Sequence, residues 1–152
     1  MLLFYRSRGR WYERLIAWAT HGPFVHVAIQ TPDGALIAAE SQGVVREVFN
    51  PQDEPFVTRH TLAPASSASE RVALAWASKK IGSRYGWMDI LSQVLRLLGS
   101  PFFLGRLHSL DCSDLAGCFA ALYTNDPTLM SQVLDHRQEI SPNDLARYYS
   151  VE

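Results

Sequence analysis

The chain has 152 residues, 47% of them hydrophobic and 19% charged, which suits a single packed domain over residues 1–152 and excludes an intrinsically disordered polymer. Its 14 basic and 15 acidic residues leave a net charge of -1, so no nucleic acid is expected as a partner. Only two cysteines are present, Cys112 and Cys118, and their side chains diverge if both lie on one helix; no disulfide framework, zinc cluster or other cofactor is expected.

The opening "MLLFYRSRGR" places its basic residues after a short apolar run, the reverse of an export signal. The longest apolar stretch, 88–104, is interrupted by Arg96 and by Gly-Ser-Pro, so no transmembrane segment is expected and a cytoplasmic location is. A first strand is predicted over 2–5, then a helix over 11–19 with Trp11, Leu15 and Trp18 on one face. After the turn "THGP", the β-branched and aromatic stretch "FVHVAIQ" predicts a strand. "TPDG" supplies a hairpin turn, "ALIAAE" the returning strand, "GVVREVF" the next and 56–62 a further one, together a small antiparallel meander. The later chain reads as helical. Ser67 stands three residues before Glu70, as in a capping box, and Gly82 ends that helix. An apolar helix is predicted near 90–98, another over 112–123, and short ones over 126–134 and 142–147, the last with proline at its start. The fold class predicted is α+β, a small antiparallel sheet packed against helices.

Three residues stand out chemically. His26 interrupts an apolar strand; if Val25, Val27 and Ile29 face one side, His26 and the small Ala28 face the other. A core histidine satisfied by backbone is the alternative. Glu40 closes the next strand, and the hairpin carries it back beside His26, where a carboxylate would hold one imidazole tautomer; a solvated strand end is the bland alternative. Cys112 follows Asp111 at a helix start, where unpaired N–H groups favour a thiolate, although Asp111 and Asp114 raise the thiol pKa. A buried structural cysteine competes with that reading. Cys118, among Leu115, Phe119 and Leu122, is expected to be the buried and inert one, and Cys112 to open onto a cleft.

The order "HVAI", "GVVREV", "RYGWMDIL", "CSDLAGCFAALY" and "ISPNDLARY" resembles the permuted papain-like hydrolases. These are YiiX/YaeF-like, circularly permuted relatives of the NlpC/P60 peptidases, with lecithin:retinol acyltransferase a more distant cousin. In ordinary members the cysteine precedes the histidine, whereas here the histidine comes first, as in the permuted group. The resemblance implies a thiol hydrolase with Cys112 as nucleophile, His26 as base, Glu40 as the residue orienting it and Tyr85 lining the substrate cleft. It implies no metal. The substrate class it implies is a peptide or peptidoglycan amide, with an acyl lipid as the alternative and a non-catalytic binding module as the rival class.

Overall fold

The computed structural model describes residues 1–84, 111–134 and 140–152. It is an α+β structure built on a 5-stranded antiparallel sheet. The strands are β1 (Leu2–Arg6), β2 (Phe24–Gln30), β3 (Ala35–Glu40), β4 (Gly43–Val48) and β5 (Val57–His60). Helix α1 (Trp11–Ala19) links β1 to β2, and a 3-10 turn (Pro51–Phe56) links β4 to β5. Helices α2 (Ser67–Lys80), α3 (Cys112–Thr124), α4 (Pro127–Leu134) and α5 (Pro142–Tyr148) follow.

The strand order β4-β3-β2-β1-β5 corrects the expected meander. The first four strands do lie beside their chain neighbours, but β5 crosses the sheet and pairs with β1. Local pattern identifies a strand, and nothing in it says which edge the strand joins. The thread from Thr31 to Ala35 closes a tight hairpin, as the Pro-Asp-Gly chemistry requires, with Gly34 at φ +84°.

The apolar core lies on one face of the sheet, where Leu2, Phe4, Val27, Ile29, Ile37, Ala39 and Val44 meet α2 and α3. Helix α3 is the hub, packing on α2, α4, α5, β2 and β3. It is buried at every position from Asp111 to Ala121 except Cys118, which explains a sequence that is apolar all round. Small residues permit the close approaches: Ala73 and Ala77 of α2 are fully buried, and a side chain at Gly117 would press on Val133. The cap of α2 lies one residue before the expected one, for Ser66, not Ser67, accepts from the Ser69 N–H at 3.0 Å. The second face of the sheet is also withdrawn from solvent, at Leu3, Ala28, Leu36 and Ala38. Helix α1 covers the expected residues 11–19. Its Trp11-Leu15-Trp18 face is not packed; Trp11 stays 77% and Trp18 64% exposed.

Candidate active site

His26 sits beside a break in the β1–β2 ladder. Tyr5 pairs with His26, but the next pair is Arg6 with Phe24, so Val25 is an extra residue on β2. Such a bulge bends a strand and re-aims its side chains. It overturns the simple alternation expected here: Phe24, Val27 and Ile29 enter the core, while Val25 is turned out next to His26. The imidazole lies against the Tyr5 ring, with centroids 5.3 Å apart.

Glu40 reaches His26 through hairpin register. Ile29 pairs with Ile37 and Gln30 with Leu36; the same register, continued, sets His26 opposite Glu40. The bonded ladder stops at Ile29, so β2 and β3 part before that level. Across the opening, Glu40 Oε1 lies 3.3 Å from His26 Nε2. Asp33, at the hairpin turn, pairs with Arg46 instead. Burial pushes the imidazole down to about 4 and raises the Glu40 carboxyl, so both move toward their neutral forms.

Cys112 is the first residue of α3, directly after the cap residue Asp111, whose Oδ1 accepts from the Asp114 N–H at 2.7 Å. The N–H of Val27, the residue after His26, bonds the thiol, and the Ser113 hydroxyl lies 3.9 Å from Sγ. Burial and then the Asp111 charge push the thiol up to about 12, while the Val27 and Ser113 contacts oppose them. The hydrogen bonds of the thiol go to the Val27 backbone and the Ser113 hydroxyl, and Nε2 of the imidazole faces Glu40. The thiol therefore meets β2 through the backbone of Val27.

Two expectations for the cysteines are corrected. Cys112 is 6% exposed and does not open widely onto a cleft, whereas Cys118 is only half-buried. The reason is the burial of α3 on nearly every side: its N-terminal turn is wedged against β2, and the line through Cys118 is the one that approaches the surface. Tyr85, the expected cleft residue, lies outside the described residues, as do Asp89, His108, His136 and the helix expected near 90–98.

A cavity of about 270 Å³ does open at His26 and Glu40, walled also by Tyr5, Val25, Glu47 and Asp53. Burial, followed by the charges of Asp53, Glu47 and Glu40, pushes the Tyr5 phenol up to about 12. Among the described residues, no three His, Cys, Asp or Glu side chains are grouped as metal ligands would be.

Sequence reasoning passed over Asn143. This buried side chain accepts from the Phe24 N–H at 2.9 Å and donates to the Phe24 carbonyl at 2.7 Å and to Thr20 Oγ1 at 2.6 Å. It thereby fixes the start of β2, two residues before His26. Its place just after Pro142 advertises a helix start, and a local motif carries no sign of a partner 119 residues away.

No protein-family model matches the chain, and no solved structure does. The chain is similar to part of Coronin-7 of Homo sapiens, 27% identical over 118 residues that cover 78% of this chain and 13% of that protein. It is likewise 26% identical over 110 residues to Coronin-7 of Pongo abelii, covering 72% of this chain and 12% of the relative. The chain thus corresponds to a small part of the length of the curated relatives it matches.

Proposed function

We propose that the protein is a cysteine-dependent hydrolase of permuted papain-like type, cleaving a peptide or peptidoglycan amide through a thioacyl-enzyme at Cys112. The observation that carries this reading is the His26–Glu40 pair, 3.3 Å apart, on the strand whose next N–H touches a thiol at a helix N-terminus. Glu40 occupies Nε2, so Nδ1 of the neutral imidazole is the atom that takes the thiol proton. Sulfur attacks the carbonyl carbon, and the oxyanion forms beside the N–H groups of the first α3 turn. The imidazolium then protonates the leaving amine, and a water activated by the same imidazole releases the acid and restores the thiol. Because the resting thiol is neutral, proton transfer accompanies attack and does not precede it.

An acyl-lipid substrate, hydrolysed or transferred by the same thioacyl chemistry, is the alternative within this reading. The rival is a binding module that uses the cavity without turnover, and the burial of Cys112 is the observation that favours it. Turnover of peptide amides, peptidoglycan fragments and acyl esters, measured beside Cys112→Ala and His26→Ala, separates the three. Hydrolysis that disappears in both variants supports the enzyme, and the substrate cleaved selects its class. Alkylation of Cys112 that is slow and indifferent to His26, with no turnover of any substrate, overturns it.

A further inference from the structure

We infer that α1 docks on an anionic lipid bilayer, lying along the headgroup plane with Trp11, Leu15 and Trp18 inserted into the interface. At 100° per residue these three positions fall within about 60° of one another, a single stripe along the helix. The structure leaves that stripe bare: Trp11 is 77%, Leu15 39% and Trp18 64% exposed, with Tyr12 beside them at 40%. Tryptophan combines a broad apolar body with one N–H donor, the pairing of properties that suits the boundary between headgroups and acyl chains.

Charge identifies the occupant. Arg10 and Arg14 are exposed around the stripe, while Arg8 pairs with Asp53 at 2.6 Å. The one acidic residue of the helix, Glu13, is buried and turned inward, accepting from the Arg8 N–H at 2.6 Å and the Arg10 N–H at 3.4 Å. The first 21 residues hold four arginines and one glutamate in a chain whose net charge is -1, so the basic character is concentrated here. Apolar and aromatic residues flanked by arginines are the composition of a helix that lies on anionic lipid. A second copy of the chain fits poorly, because it would oppose the same arginines across the contact. A helix of 9 residues, about 14 Å long, is also too short to supply by itself the roughly 800 Å² per partner of a stable interface.

The placement has a consequence for the cavity. Tyr12, Glu13 and Ile16 of α1 help to wall the space that contains His26 and Glu40. Docking through α1 would hold that space beside the bilayer. The docking face rests on α1 alone and does not depend on the thiol chemistry.

Sedimentation with vesicles tests it, using the whole chain carrying Cys112→Ala so that binding is read without turnover. Phosphatidylcholine vesicles with phosphatidylserine should carry the protein down about tenfold more effectively than vesicles without it. Replacing Trp11 and Trp18 by alanine should weaken binding about tenfold or more, with the melting curve unchanged because both side chains are exposed. Arg10→Gln with Arg14→Gln should abolish the preference for phosphatidylserine. The inference is overturned if the protein ignores both vesicles, or if the tryptophan variant binds as the parent does. It is equally overturned if the protein forms a dimer that the tryptophan variant disperses while vesicles stay unbound. Since the background lacks the proposed nucleophile, none of these outcomes bears on catalysis.

Discussion

His26 and the two cysteines carry the predictions at the scale of single residues. Burial holds the imidazole down to about 4, so its basic form is present well below the range in which an ordinary histidine is protonated. Under the proposed mechanism, the acid limb of kcat/KM should therefore lie below 6.5, toward pH 4; an acid limb at 6.5 would show that the Glu40 contact offsets the burial. Glu40→Gln should lower kcat/KM by roughly a hundredfold, since the neutral amide no longer stabilises the imidazolium that forms during attack. The cysteines separate by burial. Cys112 lies in the core and Cys118 at its margin, so Cys112→Ala should cost about 1 kcal/mol and Cys118→Ala less, read by urea denaturation. Turnover should vanish in the first variant and survive in the second. Loss in both, with both folded, would misplace the nucleophile.

At the scale of elements, the site depends on how β2 is held. Its start is clamped by Asn143 from α5, its middle is bulged at Val25, and its ladder to β3 ends at Ile29. Asn143→Ala strips both backbone groups of Phe24 of their partner, leaving an N–H and a carbonyl buried and unsatisfied. Each such group costs about 1–3 kcal/mol, so a loss of about 3 kcal/mol is expected in a denaturation curve. Asn143→Asp keeps the acceptor for the Phe24 N–H and loses the donor to its carbonyl, so it should fall between the alanine variant and the parent. An alanine variant as stable as the parent would show that α5 does not anchor the strand.

At the scale of the whole molecule, the same burial sets the pH range of stability. A histidine whose pKa is depressed on folding stabilises the fold above its unfolded value and loses that contribution as pH falls through the folded one. For His26 the window runs from 6.5 down to about 4 and amounts to about 3 kcal/mol. Glu40 is shifted up by burial and acts in the opposite sense, holding the fold at low pH and losing that contribution as pH rises through its folded value. The Cys112 thiol, raised from 9.0 to about 12, removes stability as pH climbs through that interval, and Tyr5, raised from 10.0 to about 12, adds to the loss. Melting temperature should therefore peak between about pH 6.5 and 9. His26→Gln should flatten the acid limb and Cys112→Ala part of the alkaline one. An acid limb unchanged by His26→Gln would place its origin elsewhere.

What the sequence determined by itself is everything with a short period or a local turn. The strands at 24–30 and 35–40, the Pro-Asp-Gly hairpin, the capped start of α3 and the proline start of α5 are written in residues that touch their own neighbours. The approach of Glu40 to His26 belongs here too, because a two-strand hairpin fixes register within some fifteen residues. Tertiary structure alone decided the rest. It placed β5 beside β1, inserted Val25 as a bulge, buried Cys112 more deeply than Cys118 and left Trp11 and Trp18 in solvent. An amphipathic stripe states that a helix has an apolar side but not what that side meets. A cysteine's pattern of neighbours likewise leaves open which line of α3 approaches the surface. Both depend on contacts between segments far apart in the chain, and the free energy of those contacts is shared among partners that no local window contains.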